Sequence, residues 1–262
     1  MTIKNIKTGL KLWSVNTDHY LNEAKRLFDL GVYDYIELYV VPDTTDTLSA
    51  WKTLNIPFII HNAHFAHGFN LAKSDNKTRN KEIYEQSRLF ADKLSAKYII
   101  FHGGIDGDAN ETANQLASFK EQRALIENKP FVALPNRMGG NFCRGATIDE
   151  LKLIIDTASC GMCFDIGHAV CSANSQNIEP YAFLKQLKTL SPVMYHLSDI
   201  NDMKSPYDAH PHLGTGNLDI KWVIDEIFHE GAYVSVETNK DSKESLEDFK
   251  KDICYLKNCQ NI

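Results

Sequence analysis

The 262-residue chain contains no apolar run that approaches the roughly 20 residues a membrane-crossing helix requires. It also lacks a broad basic charge, since its formal net charge is -6 with histidine neutral. Such a chain offers no general electrostatic attraction for nucleic acid, although a local basic patch could still provide one. Residues 1–12 alternate lysine with apolar residues and contain no continuous apolar segment of the kind found in secretory signals. We therefore expect a cytoplasmic protein that does not enter a membrane.

The cysteines are too few to suggest a framework of disulfides. Cys160 and Cys163 have the C-x-x-C spacing that occurs in redox centres and in zinc sites. No second C-x-x-C completes a four-cysteine zinc site, so we interpret the pair as a chance spacing at the start of a buried strand. In a cytoplasmic protein we expect all six cysteines to be free thiols.

The chain has no linker, no low-complexity tract and no sign of a second domain, which predicts a single domain over residues 1–262. Eight short apolar runs, rich in β-branched and aromatic residues, read as strands buried on both faces of a parallel sheet. The predicted strands are 9–14, 35–38, 58–61, 98–102, 131–136, 162–165, 193–198 and 233–237.

Amphipathic segments alternate with these runs and predict helices. The predicted helices are 18–30, 48–54, 78–94, 111–126, 147–155, 179–190, 218–228 and 242–256. Thr147 followed three residues later by Glu150 forms a capping-box pattern at the start of one of them. Eight β-α units favour a closed barrel over an open sheet, and about 250 residues is typical of that fold. The fold class predicted is α/β, a single (β/α)8 TIM barrel.

Histidines and carboxylates follow the predicted strands, where a barrel of this type gathers its loops on one face. They are His61, His64, His102, Asp165, His168, His196, Asp208, His210 and Glu237. Carboxylates crowded at a buried rim repel one another, and desolvation raises their pKa values. A cation removes both costs. Imidazole and carboxylate together suit Zn, Mn, Fe or Co rather than Ca, so we predict a divalent-metal centre at this face.

At these residues the sequence resembles the xylose isomerase-like barrel superfamily, which holds endonuclease IV and many sugar isomerases and epimerases. The resemblance extends from about Gly9 to about Glu237. It depends on six motifs in order, each at a strand end. They are His64 with Asn70-Leu71, His102-Gly103-Gly104, Asp165-x-x-His168, His196, Asp208-x-His210 and Glu237-Thr238.

The resemblance implies three groups of metal ligands. His64 and His102 would hold one ion, Asp165, His196 and Glu237 a second, and His168, Asp208 and His210 a third. Reasoning from the residues alone agrees on the residue types and on the face but assigns no ligand to a particular ion.

One position departs from the family pattern. The fifth strand of the family ends in a glutamate followed by asparagine, and that glutamate bridges two metals. With the fifth strand placed at 131–136, Pro135 stands at the position of the glutamate and cannot ligate. Three interpretations follow. The site could hold fewer metals, Asn136 or His61 could supply a substitute ligand, or the ancestral activity could be lost.

The second predicted strand separates two activities of the family. DNA-repair members carry an Asn-Pro-Arg-type segment there, whereas Glu37 resembles the carboxylate that approaches substrate in the isomerases. Glu37 could equally serve as a structural partner for a lysine or arginine. The Asp208-x-His210 element is more typical of the three-metal nucleases. We expect a metal-dependent isomerase or epimerase acting on a sugar or sugar phosphate.

In that hypothesis Glu237, or a metal-bound hydroxide, moves the substrate proton. His102 and His168 orient substrate hydroxyls or bind a further metal. Arg137 holds a phosphate or is an ordinary solvated loop residue. Trp13 stacks on the sugar or packs in the core.

Two alternatives come from other classes. One is an endonuclease IV-like phosphodiesterase acting on abasic DNA. The other is a non-catalytic barrel that binds carbohydrate, which is favoured only by Pro135. Barrels of this group often pair, so a homodimer is an expected state by analogy.

Overall fold

Eight parallel strands form a closed barrel in the computed structural model, which describes residues 4–260. Each strand pairs with the next along the chain, and the last pairs with the first. The strands are β1 (Lys7–Trp13), β2 (Tyr35–Tyr39), β3 (Phe58–His61), β4 (Ile99–His102), β5 (Ala124–Glu127), β6 (Gly161–Asp165), β7 (Met194–Leu197) and β8 (Tyr233–Val236). The predicted TIM-barrel fold is confirmed.

Nine α-helices follow or connect the strands within residues 4–260. They are α1 (Thr17–Asp29), α2 (Leu48–Thr53), α3 (Lys77–Lys93), α4 (Ala109–Ser118), α5 (Ile148–Ala158), α6 (Ile166–Ser175), α7 (Pro180–Lys188), α8 (Ile220–Glu226) and α9 (Glu247–Gln260). Helix α6 was not predicted. Every residue from Ile166 to Ala173 is buried, so the helix shows no alternation of polar and apolar faces that a sequence pattern could reveal.

The prediction for the fifth strand was wrong. Strand β5 is Ala124–Glu127, which lies between β4 and β6, with His102 opposite Glu127. The predicted helix 111–126 ends at Ser118, and Lys120 then adopts a positive φ of 52° that breaks the helix. Since Ala124, Leu125 and Ile126 continue the helical spacing of apolar residues, this strand was absorbed into the helix. Residues 131–136 lie in the loop that follows β5.

The floor of the barrel interior is an apolar layer. Six buried side chains from six consecutive strands contact one another, namely Tyr35, Ile59, Ile100, Leu125, Cys163 and Met194. Gly9 of β1 makes room for the largest of them, because a Cβ at Gly9 would lie 2.4 Å from the Tyr35 ring. The Tyr35 hydroxyl lies 3.0 Å from Ser235 Oγ, within hydrogen-bond distance, which ties β2 to β8 across the interior.

Two further expectations can be compared with the structure. All six cysteines are free, as predicted, and Cys163 belongs to the apolar layer. Within the described residues, no helix is both long enough and apolar enough to cross a membrane.

The predicted cap of α5 is present and can be tested. Thr147 precedes the helix, and its Oγ1 accepts a hydrogen bond from the Glu150 N–H at 3.2 Å. The Glu150 carboxylate accepts from the Gly145 N–H at 2.9 Å rather than from Thr147. Replacing Thr147 by alanine removes the cap, and we expect a loss of about 1 kcal/mol in the free energy of unfolding. Urea denaturation measures it. Thr147→Ser keeps the hydroxyl and should stay close to wild type, whereas an equal loss in both variants would contradict the capping role.

Candidate active site

A layer of ionisable side chains lies directly above the apolar floor. Side chains along a strand alternate between its two faces, so the residue two positions further along each strand again points inward. At that position every strand contributes an ionisable residue: Lys11, Glu37, His61, His102, Glu127, Asp165, His196 and Glu237. Glu237 directly follows β8. The barrel therefore concentrates eight ionisable groups in one cross-section at the carboxyl ends of its strands.

Glu127 occupies the centre of this layer and is buried. One carboxylate oxygen, Oε2, lies 3.0 Å from His102 Nε2 and 3.1 Å from His61 Nε2. The other oxygen, Oε1, lies 2.9 Å from His168 Nδ1. Glu127 thus stands between two groups of ligands, as the bridging glutamate of the family would.

The prediction that Pro135 replaces this glutamate was wrong, because it followed from the misplaced fifth strand. Pro135 and Asn136 are exposed in the loop after β5 and are not among the residues that line the pocket. The family's glutamate-asparagine pair is present as Glu127-Asn128. Asn128 accepts from the Asp165 N–H at 2.8 Å and donates to the Asp165 carbonyl at 2.9 Å, which fixes β5 against β6.

The Asp165-x-x-His168 motif is a helix start. Asp165 is the N-cap of α6, and its Oδ1 accepts from the His168 N–H at 2.7 Å. That bond occupies one carboxylate oxygen and leaves Oδ2 facing His196 Nδ1 at 3.7 Å. The His168 Nδ1 lies 3.1 Å from the Asn128 carbonyl, so its Nε2 points towards Asp208.

His196 presents one buried ring nitrogen to three carboxylates. Its Nδ1 lies 2.9 Å from Glu237 Oε1, 3.6 Å from Glu127 Oε2 and 3.7 Å from Asp165 Oδ2. The Nε2 on the other side lies 2.9 Å from Glu37 Oε2. A histidine that donates one N–H to a carboxylate directs the lone pair of its other nitrogen to a metal. These four side chains could therefore hold one divalent ion.

Two more groups have the composition of metal sites. His61, His102 and Glu127 form one, and His168, Asp208 and His210 form the other. Asp208 Oδ2 lies 3.0 Å from His210 Nε2 and 3.6 Å from His168 Nε2. Except for His64, the predicted ligands are brought together.

His64 lies next to His102 but outside the group of His61, His102 and Glu127. Its ring stacks on the His102 ring with centroids 5.2 Å apart, and its Nδ1 accepts from the Ala66 N–H at 3.2 Å. His61, the last residue of β3, lies next to Glu127 instead. The strand alternation singles out His61, whereas the family spacing to Asn70 singled out His64.

Two lysines in the site were not predicted. Lys11 forms ion pairs with Glu237 and, at 3.1 Å, with Glu37. Lys129 places its Nζ 3.2 Å from Glu127 Oε1. Lys11 follows from strand alternation along β1, while the position of Lys129 depends on where β5 ends.

Neighbouring histidines and lysines keep the carboxylates of Glu127 and Glu237 ionised. Burial raises the pKa of Glu127, but His102 and Lys129 outweigh burial and hold the pKa well below its usual value. Burial acts in the same way on Glu237, and there His196 holds the pKa well below the usual value. Both glutamates are therefore carboxylates at neutral pH, as ligands and general bases must be.

The histidines divide into two kinds. Burial lowers the pKa of His61 and of His102, so both are neutral at pH 7 and have a lone pair to offer a metal. Burial also opposes charge on His196, but Cys163 and Glu237 outweigh it and raise the pKa. The field at His196 favours positive charge, whether it comes from a proton or from a cation.

A pocket of about 540 Å³ opens above the ionisable layer. Trp13, predicted to contact substrate, lines it, is 42% exposed and packs on Tyr39 with ring centroids 4.7 Å apart. Arg137 also lines the pocket. Glu37 does not line it, because Glu37 is completely buried behind His196 and Lys11. Its geometry is that of a positioning residue rather than a substrate ligand.

Known proteins of two kinds are similar to this chain. A model described as Xylose isomerase-like TIM barrel matches residues 25–259. A Mycobacterium bovis protein named Probable endonuclease 4 is 24% identical over 221 residues, covering 82% of this chain and 84% of that protein. The crystal structure of a D-tagatose 3-epimerase-like protein has a TM-score of 0.73 and 18% identity, covering 97% of both chains. Endonuclease IV from Thermus thermophilus has a TM-score of 0.68 and 17% identity, covering 96% of this chain and 99% of that one. The chain belongs to the xylose isomerase-like TIM barrel family.

Proposed function

We propose that the chain is a metal-dependent isomerase or epimerase of a sugar or sugar phosphate. The observation that carries the proposal is the buried Nδ1 of His196, which faces carboxylate oxygens of Glu127, Asp165 and Glu237. One imidazole and three carboxylates suit Zn, Mn, Fe or Co. When bound there, such an ion supplies Lewis-acid polarisation of a carbonyl and its neighbouring hydroxyl.

The chain supplies the proton transfer. Glu127 and Glu237 both line the pocket and both are ionised, so either can accept the proton from the carbon next to a substrate carbonyl. Two carboxylates on one substrate allow removal of a proton by one and its return by the other. His102 and His168 line the same wall and are placed to orient substrate hydroxyls.

The pocket favours a small substrate. About 540 Å³ lies within the usual range for small-molecule sites, roughly 300–1,000 Å³. Trp13 and Phe65 offer aromatic surface to a sugar, and Arg137 offers a guanidinium to a phosphate. The net charge of -6 offers little attraction for a DNA backbone.

A second candidate is a phosphodiesterase that cleaves abasic DNA. It is favoured by the three neighbouring groups of possible ligands and by relatives named Probable endonuclease 4. The non-catalytic alternative depended on Pro135 and loses its basis with Glu127 at the end of β5.

The two activities are separated by one comparison on the same metal-loaded protein. A panel of ketoses, aldoses and their phosphates is incubated in D₂O, and isomer formation and deuterium at the carbon next to the carbonyl are followed by NMR. We expect exchange on at least one substrate and a large loss of exchange with Glu237→Gln, which removes one of the two bases and a metal ligand. Efficient metal-dependent nicking of an abasic duplex, with no exchange on the sugar panel, would establish the nuclease instead.

Glu127 rather than Pro135 should decide metal binding. We expect Glu127→Gln to weaken the affinity for Zn²⁺ by more than about 100-fold, since it removes a ligand and not merely a residue behind one. Pro135→Ala serves as the control and should bind as wild type does. Isothermal titration of metal-free protein measures both. Wild-type affinity in Glu127→Gln would remove this residue from the site.

Glu37 should act through His196. Glu37→Gln keeps the shape of the side chain but weakens its hydrogen bond to His196 Nε2. We expect roughly a 10–100-fold loss of Zn²⁺ affinity. The same titration checks it. A substrate-binding role would give the opposite pattern, in which metal affinity is unchanged and only KM rises.

A further inference from the structure

Lys129 is a buried lysine whose ammonium lies among the possible metal ligands. Its Nζ is 3.2 Å from Glu127 Oε1, 3.4 Å from His102 Nε2 and 3.3 Å from both ring nitrogens of His168. The residue is only 5% exposed. The ammonium therefore contacts His102 and Glu127 of one ligand group and His168 of the other.

The backbone holds the lysine in this place. Its own N–H donates to the Gly145 carbonyl at 3.0 Å, and the preceding Asn128 is bonded on both sides to the Asp165 backbone. Pro130 follows and restricts the chain further. These bonds fix the backbone of Lys129, and the contacts with Glu127, His102 and His168 hold its Nζ inside the site, unlike that of a surface lysine whose charged end stays in water.

Metal ions in the group of His61, His102 and Glu127 and in the group of His168, Asp208 and His210 would compete with this ammonium. A zinc ion lies about 2.0–2.1 Å from a histidine nitrogen, and His102 Nε2 and His168 Nε2 each already face Nζ. Lys129 contacts Glu127 through Oε1, whereas the Glu127 oxygen that faces His196 is Oε2, and within the described residues no hydrogen bond or ion pair joins Lys129 to Asp165, His196 or Glu237. The ion at His196 is consequently compatible with the lysine, whereas two further ions would crowd it with positive charge.

The summed charge of the site, which is the ionisable layer together with Asp208 and Lys129, also limits the number of metal ions. Glu37, Glu127, Asp165, Asp208 and Glu237 contribute five negative charges, and Lys11 and Lys129 contribute two positive ones. With neutral histidines the net charge is minus three. One divalent ion leaves minus one and two leave plus one, but three leave plus three. Uncompensated charge is costly in a buried site, so one or two ions are favoured over three.

We propose that Lys129 is a built-in cation that takes the place of one metal ion, so that this centre binds fewer than three divalent ions. The inference rests on the proposed function in one respect, which is that one ion is bound at His196. Because Lys129 also lines the pocket, its ammonium is placed to donate to a substrate oxygen that becomes negative during the reaction.

The test is a count of bound ions. Metal-free protein is saturated with Zn²⁺, desalted, and measured by native mass spectrometry and elemental analysis. We expect one or two ions per chain in the wild type and one more in Lys129→Met, which removes the charge but keeps an unbranched side chain. Lys129→Arg should retain the wild-type number. Lys129→Gln provides a second neutral variant, and circular dichroism establishes that each protein is folded.

Two controls make the count specific. Lys240 lines the same pocket but donates to the Thr238 carbonyl, so Lys240→Met should leave the number unchanged. His212→Asn measures zinc held by a separate group, His212 with Asp241 and Asp248, and that number is subtracted. Three ions at the centre of the wild type would overturn the inference, as would an unchanged count in both neutral variants.

The two proposals fail in different ways. Three ions together with sugar turnover would overturn the role of Lys129 and leave the isomerase intact. Fewer than three ions together with nicking of abasic DNA would overturn the isomerase and leave the role of Lys129 intact.

Discussion

The whole site depends on the two-residue repeat of a β-strand inside a closed barrel. One inward layer is apolar and provides the floor, and the next is ionisable on all eight strands. So many charges in one buried cross-section are stable only if they neutralise one another or bind cations. Lys11 and Lys129 supply part of that charge, and the three carboxylates that face the buried nitrogen of His196 mark where more is needed. Catalytic capacity here is a consequence of charge that the fold has brought together.

Much of this could be predicted from the sequence because parallel strands impose a common direction. Short apolar runs identified seven of the eight strands, and the histidines and carboxylates that follow most of these runs identified the face of the site. The Asp165-x-x-His168 motif was recognised by its resemblance, and the structure gives it a physical reason. A helix N-cap bonds to the N–H three residues on, so the two side chains must lie together.

The errors about Pro135 and the bridging glutamate have one source, which is the misplacement of β5. A four-residue strand that follows a helix closely has the same apolar spacing as another helical turn, and length could not separate the two. The longer apolar run at 131–136 was then taken as the strand, and this put Pro135 at the position of a ligand. Glu127, Asn128 and Lys129 were all missed for that reason. Counting inward positions two by two from the apolar layer would have found Glu127, since Leu125 lies in that layer.

The same ionisable layer suits either phosphodiester cleavage or sugar isomerisation, and the two reactions differ in the number of cations they need. Phosphodiester cleavage by a cluster of metals uses several ions to neutralise the attacking and leaving oxygens. Isomerisation of a sugar requires one polarised carbonyl and a pair of carboxylates to move a proton. The Lys129 ammonium, held between two ligand groups and attached to the chain, adds positive charge that raises the cost of each further ion. With the role proposed for Lys129, the residue that follows Glu127-Asn128 limits the number of bound ions without itself being a metal ligand.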